Sequence, residues 1–173
     1  MKLTTKEFNR CLRLIKDGDN SGMLKIYNYY FEKLLLTAFS EVKCRNIAED
    51  VASNVLISIF NNAAHYKYIK KPNSWIFQAL KFALSNYKKR NEKYVYAEFI
   101  DEAYSSKDQN WDMKIEFANT LAKLPIRQQE IIQLHFVYGM TISETAKELE
   151  ISTSTVKRQI NSLREELRIF LNY

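Results

Sequence analysis

Two helix N-termini stand close together near the end of this chain, in the stretch TISETAKELEISTSTVKRQINSL. Thr141 and Glu144 have the spacing of a capping box, in which the hydroxyl accepts from the third amide and the carboxylate reaches back to the cap. Ser152 is placed to begin a second helix, and Ile151 and Val156 have the spacing of a hydrophobic staple. The stretch therefore predicts two short helices joined by a tight turn.

The connection between these helices favours a helix-turn-helix. Ala146 is small enough to let the two helices approach closely. In a helix-turn-helix the second helix enters the major groove of DNA by its N-terminal end. Simple core packing is the alternative for any helix pair, but the two caps and a polar outer face favour DNA binding. The outward residues, which can donate to base edges and phosphates, are Ser154, Thr155, Lys157, Arg158 and Asn161.

The whole chain favours helices as well. Its 173 residues include three glycines and two prolines, which leaves few residues for turns, and 46% of them are hydrophobic. We predict an all-α fold of two small helical domains, residues 5–93 and 112–173, joined by a linker at 94–111. Helices in the first domain are predicted at Thr5–Lys16, from Ser21 into Phe39, in IAEDVASNVLISIF and from KPNSW onward. In the second domain a helix opens at Leu124-Pro125 and runs to Gly139.

The net charge of +6 is unevenly placed. Residues 112–173 contain eight basic and eight acidic residues, so the excess belongs to residues 1–111. The segment Lys67–Lys93 has eight basic residues and one acid. Aromatic residues interleave with these charges, a pattern typical of surfaces that bind phosphates and stack on unpaired bases. A solvated helix face over a tyrosine-rich core is the alternative, and composition alone does not decide between them.

Catalysis has little support in the sequence. His65 and His135 are the only histidines, and His135 lies in an apolar helix, where a core or rim position is expected. Glu49 and Asp50 are adjacent and point along different helix faces, so they suit neither a shared metal nor an acid–base pair. We predict that the protein is not an enzyme and has no cofactor or metal.

Two isolated cysteines, Cys11 and Cys44, indicate reduced thiols rather than a disulfide frame or a zinc site. No stretch reaches the roughly 18 uninterrupted apolar residues that a membrane span needs, and the N-terminus is charged. We therefore expect a soluble, cytoplasmic protein without membrane insertion.

The order of the motifs resembles a known family. The chain presents GD, then AEDVASNVLISIF, then NSWIFQALKFALSNYKKR, then LPIRQQEIIQLHF and the helix-turn-helix. From about Thr5 to Leu171 this order is similar to that of RNA polymerase sigma factors of the extracytoplasmic-function (ECF) group. The resemblance implies a region two-like and a region four-like domain. It also implies a protein that is monomeric when free, with core RNA polymerase, promoter DNA and an anti-sigma factor as partners.

Further roles follow from this resemblance alone. The AED helix is expected to dock on the clamp helices of the largest polymerase subunit through Glu49, Asp50, Ser53, Asn54 and Leu56. The next loop and helix are expected to recognise and melt the minus-ten promoter element through Tyr66, Lys67, Tyr68, Lys70, Lys71, Trp75, Asn86, Lys89 and Arg90. The helix-turn-helix is expected to read the minus-thirty-five element with the outward residues of its second helix. The chain departs from the family pattern at Ser53 and Asn54, where a glutamine and an acid are usual, and at Gln159 and Ser162, where basic residues are common.

Two other functions stay open at the level of sequence. A one-component helix-turn-helix regulator would bind a palindromic operator as a dimer. An all-helical interaction module would use Trp75 and the tyrosines as core residues and would not bind DNA.

Overall fold

A computed structural model of the chain describes residues 3–91 and 109–166, the side chains of residues 91, 109, 110, 165 and 166 excepted. These residues form helices and connecting segments without a strand, which confirms the predicted all-α fold. They fall into two compact units that divide between Asp108 and Gln109. Residues 94–108 of the predicted linker lie outside the described residues, whereas residues 109–111 already belong to a helix.

The described part of the N-terminal unit contains four α-helices. They are α1 (Thr5–Lys16), α2 (Ser21–Val42), α3 (Arg45–Asn61) and α4 (Pro72–Asn91). A 3₁₀ turn at Ala63–His65 follows α3, and a segment without helix or strand at 66–71 leads into α4. The first helix has the predicted limits, and the fourth begins at the proline of KPNSW as predicted.

Local chemistry explains how α1 begins and how it meets α2. Thr4 Oγ1 accepts from the Glu7 amide at 3.2 Å, and Glu7 Oε2 accepts from the Thr4 amide at 2.9 Å. Gly18, with a φ of 83°, allows the reversal between the two helices. At Gly22 an added Cβ would clash with the Cys11 carbonyl oxygen, so this close approach of α1 and α2 requires glycine.

The core of the N-terminal unit centres on α2, which contacts α1, α3 and α4. Each fully buried aliphatic side chain contributes roughly 1.5–3 kcal/mol relative to an exposed one, so this core is the main source of the unit's stability. The largest fully buried side chains here are Phe8, Ile26, Tyr30, Leu34, Leu56, Ile76 and Leu80.

The described part of the C-terminal unit also contains four α-helices. They are α5 (Gln109–Ala122), α6 (Ile126–Ile132), α7 (Ile142–Glu148) and α8 (Thr153–Glu166). A π-helical turn at Gln133–Val137 continues α6. Helix α5 was absent from the sequence-based prediction, and the single predicted helix from Leu124-Pro125 to Gly139 is instead α6 plus this turn.

The π turn changes which residues of this region face the core. The Tyr138 amide donates to the Gln133 carbonyl at 2.9 Å, one residue further back than in an α-helix. Ile131 and Ile132, just before this turn, and Leu134 within it are all completely buried. Gly139, with a φ of 68°, then ends the segment as predicted.

Helices α7 and α8 form the predicted helix-turn-helix. The Ile151 amide donates to the Ala146 carbonyl at 3.0 Å across the turn, and Glu150 adopts a left-handed φ of 55°. A cluster of four buried side chains, Ile131, Ala146, Val156 and Ile160, joins α6, α7 and α8. Ile142, Leu149, Ile151 and Phe136 pack around this cluster, so the predicted pair Ile151 and Val156 belongs to one apolar core.

Candidate nucleic-acid interface

Helix α8 begins at a cap that uses hydroxyl groups. Ser152 Oγ accepts from the Thr155 amide at 3.1 Å and lies 2.8 Å from both Ser154 Oγ and Thr155 Oγ1. Helix α7 begins at the predicted capping box, in which Thr141 Oγ1 accepts from the Glu144 amide at 3.2 Å. Both helices of the motif therefore have a fixed first turn, as the sequence predicted.

The outer face of α8 is polar and basic. Ser154, Lys157, Arg158 and Asn161 are exposed, whereas Thr155 is half-buried and shares its hydroxyl with the cap. Lys157 and Arg158 form no ion pair within the described part of the chain. Two cations on the first turns of a capped helix can reach phosphates or guanine edges without first breaking an internal contact.

Two side chains of α6 hold the helix-turn-helix in place, and neither contact is visible as a pattern in the sequence. Gln128 Nε2 donates to Gln159 Oε1 of α8 at 2.9 Å. Arg127 Nη1 donates to the Leu149 carbonyl at 3.3 Å and lies 3.2 Å from Glu130 Oε2. Gln159, which stands where the family often has a basic residue, therefore serves here to join α8 to α6.

A second candidate surface lies in the N-terminal unit, where the segment between the 3₁₀ turn and α4 presents charge and one aromatic ring. The side chain of Tyr68 is 63% exposed, and Lys67, Lys70 and Lys71 are exposed on either side of it. Tyr66 is half-buried, and burial raises the pKa of its phenol.

The ring of Trp75 is less exposed for stacking on bases than the sequence suggested. It is half-buried at the start of α4, with its ring centroid 4.8 Å from that of Tyr66 and 6.1 Å from that of Phe8, both edge to face. Part of this aromatic cluster is therefore core, as the alternative interpretation of the patch proposed. Tyr68 offers the most exposed flat face on the segment.

Toward its C-terminal end α4 exposes further cations. Lys89 and Arg90 are exposed and Asn86 is half-buried. Lys88 pairs with Glu41 of α2 at 2.6 Å, which fixes this end of α4 against α2. The ring of Phe82, one turn earlier, is 70% exposed. The basic residues of the predicted patch at this end of α4 therefore lie on the surface and are not buried under other elements.

A cleft of about 540 Å³ joins the segment to α1. One wall contains Tyr66, Lys67 and Tyr68 from the segment. The opposite wall contains three cations of α1 that the sequence reasoning missed, although their helical spacing was visible in it: Lys6, Arg13 and Lys16.

The exposed face of α3 is a third candidate surface. Asp50 and Asn54 are exposed, Ser53 is half-buried, and half-buried Glu49 pairs with Arg45 at 2.9 Å. Leu56, which the resemblance also places in this contact, is 1% exposed and packs inside the unit. Ile57 is the apolar residue that this face presents, with 51% of it exposed.

Chemistry-bearing groups are not clustered in the parts of the chain that the structure describes. No group of three or more histidine, cysteine or acidic residues could hold a metal ion there. His135 Nδ1 lies 2.7 Å from the Met140 carbonyl oxygen, at the half-buried position expected for it. Among the described helices none is long and apolar enough to cross a membrane.

Similarity to known proteins covers both units. Residues 114–167 match the family model for sigma-70 region 4. The chain is 22% identical over 175 residues to the ECF RNA polymerase sigma factor SigW of Bacillus subtilis (strain 168), covering 91% of this chain and 92% of that protein. It is 21% identical over 158 residues to the ECF RNA polymerase sigma factor SigM of Mycobacterium tuberculosis (strain ATCC 25618 / H37Rv), covering 90% of this chain and 80% of that protein.

A solved structure shares the fold over nearly the whole chain. CnrH, in its complex with the cytosolic domain of CnrY, superposes with a TM-score of 0.62 at 17% sequence identity and covers 95% of this chain and 96% of that one. At this identity the likeness concerns the fold. Together with the sequence relatives it confirms the predicted resemblance to the ECF sigma factors.

Proposed function

Because this chain groups with the ECF sigma factors by sequence and by fold, we propose that it binds core RNA polymerase and divides promoter recognition between its two units. The family gives the coarse role, since sigma factors direct the polymerase to promoters and are not enzymes. In the finer proposal, the C-terminal unit reads the minus-thirty-five element as duplex. The N-terminal unit reads the minus-ten element and helps to melt it.

The observation that carries the proposal is the capped, basic outer face of α8. Its exposed residues lie on the first turns of the second helix of a helix-turn-helix, where such motifs meet base edges. Lys157 and Arg158 supply charge for phosphates or guanine, and Asn161 supplies an amide that suits adenine. Gln128 and Gln159 keep the helix at a fixed angle behind this face.

The N-terminal segment supports a role with unpaired DNA. An exposed tyrosine ring gives a stacking surface that any base can use, and the flanking lysines give charge for the backbone. Duplex binding requires charge but little stacking, so the pairing of Tyr68 with Lys67, Lys70 and Lys71 favours a melted strand as ligand. Lys89 and Arg90 extend the positive surface along α4.

For polymerase we propose the exposed face of α3. Asp50, Asn54 and Ile57 are separated by four and three residues, so they share one side of the helix. This side combines one charge, one amide and one apolar side chain, a mixture suited to a protein partner. An anti-sigma factor is the proposed regulator, because the solved complex of CnrH contains a second protein, the cytosolic domain of CnrY.

The one-component regulator is not favoured. The similarity to sigma factors extends through the N-terminal unit, where a regulator would have a ligand-binding or dimerisation domain instead. The two functions also differ in what they bind. A regulator binds a palindromic duplex as a dimer, whereas a sigma factor requires core polymerase.

The test is reconstitution. We expect the full chain to co-elute with bacterial core RNA polymerase and to direct transcription from particular sites in a genomic fragment library. The double variant Lys157→Ala, Arg158→Ala should still co-elute but should lose the site-specific starts. Lys123→Ala, which removes an exposed cation at the end of α5 in the same unit, serves as the matched control and should retain them. Failure to bind core polymerase, together with dimeric binding to a palindrome, would contradict the proposal.

A further inference from the structure

One buried amide of α1 holds the N-terminal segment in place. Asn9 is 6% exposed, and its side chain pairs in both directions with the backbone of Ile69. Asn9 Nδ2 donates to the Ile69 carbonyl at 2.9 Å, and Asn9 Oδ1 accepts from the Ile69 amide at 2.7 Å. The same Nδ2 donates to the Thr5 carbonyl at 2.8 Å. The side-chain amide of Asn9 thus makes the two hydrogen bonds to Ile69 that a residue of a paired antiparallel β-strand would make with its backbone.

These bonds fix the middle of a segment that has no helix or strand of its own. Ile69 lies between Tyr68 and Lys70, the ring and one of the charges proposed to meet the melted strand. Each backbone residue that must be ordered on binding costs conformational entropy. A segment that is already ordered in the free protein avoids this cost and binds more tightly.

Side-chain contacts also hold the two ends of the segment, whereas Asn9 holds its middle. The Tyr30 hydroxyl donates to Asn73 Oδ1 at 2.7 Å, at the start of α4. Trp75 lies edge to face with Tyr66 and with Phe8, which joins the two ends of the segment to each other and to α1. Between these points the side chain of Asn9 is the contact from α1 to the backbone of the segment.

We propose that Asn9 is a positioning residue for single-stranded DNA. It does not touch the strand but keeps Tyr68 and Lys70 in the arrangement that receives unpaired bases. This inference rests on the proposed function of the N-terminal unit. It adds that α1, to which the sequence analysis assigned no role, determines how well the segment captures the melted minus-ten element.

A purely structural role for Asn9 is the competing explanation. Thr37 provides a matched control, since its buried hydroxyl donates to the Lys33 carbonyl at 2.8 Å within α2. Thr37→Val removes one buried hydrogen bond while keeping the shape of the side chain. Asn9→Leu likewise removes the bonds to Ile69 while keeping a side chain of similar size.

The first measurement begins with the unaltered protein. Amide hydrogen exchange on the full chain should show the Ile69 amide protected, although it lies outside any helix, because its hydrogen is bonded to Asn9 Oδ1. In Asn9→Leu this protection should disappear while the amides of α2 and α3 keep theirs. An Ile69 amide that exchanges freely in the unaltered protein would overturn the proposal.

The second measurement uses holoenzyme and a short single strand copied from the nontemplate minus-ten region of a promoter that the unaltered holoenzyme transcribes. Asn9→Leu should bind this strand about tenfold more weakly, because the backbone around Ile69 must then be ordered on binding. Its affinity for core polymerase and for minus-thirty-five duplex should not change. Thr37→Val should bind the strand as the unaltered protein does.

The outcomes separate the inference from the function on which it rests. If Lys70→Ala, Lys71→Ala loses the strand while Asn9→Leu keeps it, the positioning role is wrong and the proposed function stands. If Asn9→Leu and Thr37→Val lose affinity together, in proportion to their stability, Asn9 is only structural. If the unaltered holoenzyme does not bind the strand, the proposed function of the N-terminal unit fails and this inference fails with it.

Discussion

The two units present their candidate DNA-binding surfaces by different physical means. In the C-terminal unit, caps between near neighbours begin both helices of the surface: Thr141 caps α7 through Glu144, and Ser152 caps α8 through Thr155. The contact that holds α8 to α6, between Gln128 and Gln159, joins residues 31 apart. In the N-terminal unit the surface depends on residues far apart in sequence. Asn9 bonds to Ile69, 60 residues away, and Tyr30 bonds to Asn73, 43 residues away.

This difference predicts different sensitivities. The α8 surface should respond mainly to changes in its caps and in α6, which holds it. A surface held by distant contacts should respond to changes anywhere in the core that supplies those contacts. The following predictions test this difference, beginning with the largest expected effect.

The largest effect should come from the core of the N-terminal unit. Leu56→Ala should lower the stability of this unit by roughly 2–5 kcal/mol, because it leaves a cavity at a completely buried position. Ile57→Ala, one residue later and half exposed, should stay within about 0.5 kcal/mol but should weaken binding to core polymerase. Amide hydrogen exchange, followed separately in the two units, measures the first effect, and co-elution measures the second. An unchanged N-terminal unit in Leu56→Ala would show that Leu56 is not core.

A smaller effect, confined to function, should come from the outer face of α8. Arg158→Ala should weaken binding of the holoenzyme to minus-thirty-five duplex by roughly 1–3 kcal/mol if the guanidinium meets a base edge. The stability of the C-terminal unit should stay the same, since Arg158 is exposed. Duplex binding measured at two salt concentrations checks this, with Lys123→Ala as the control. Equal losses in the two variants would mean that only general charge matters.

Two capping boxes of the same geometry allow a direct comparison of the units. Thr4→Ala and Thr141→Ala should each cost about 1 kcal/mol, because each removes one side-chain acceptor from a helix N-terminus. Only Thr141→Ala should change duplex binding, since α7 supports α8. Unfolding monitored per unit by amide exchange gives both energies. An effect of Thr4→Ala on duplex binding would break the proposed separation of the two surfaces.

The smallest effect should be a pH dependence at the start of α1. Hydrogen bonds from the Thr4 amide and hydroxyl lower the pKa of the Glu7 carboxyl. The stabilisation by this depressed pKa is present above the ordinary pKa of glutamate and is lost as the pH falls through the lowered value. The amides of the first turn of α1 should therefore lose protection on acidification, and Glu7→Gln should remove this step. An identical acid response in Glu7→Gln would contradict the assignment.

The same contrast explains what the sequence could predict. The capping box at Thr141 was predicted and is confirmed, because its two partners are three residues apart and their chemistry is specific. The equivalent box at Thr4 and Glu7 carries the same signal and was overlooked. Pairing of Asn9 with Ile69 could not be predicted, since an asparagine within an amphipathic helix gives no indication of which distant backbone it will meet.

Two further differences between the sequence-based expectations and the structure have physical causes. Leu56 was assigned to the surface from the resemblance, yet Ala48 and Ala52 precede it at helical spacing and are both completely buried. Counting these alanines as apolar would have placed Leu56 in the core and Ile57 outside. Helix α5 was missed because Lys114, a buried cation over the ring of Trp111, interrupts an otherwise apolar stripe.

The most direct test of the division between the units is a paired binding measurement on holoenzyme, with minus-thirty-five duplex and the minus-ten nontemplate strand as separate probes. Lys157→Ala, Arg158→Ala should lose the duplex and keep the strand, whereas Lys70→Ala, Lys71→Ala should lose the strand and keep the duplex. The assignment of duplex reading to α8 and of strand capture to the N-terminal segment would be contradicted by either of two results. One is a double variant that loses binding to both probes; the other is that both double variants keep binding to both probes.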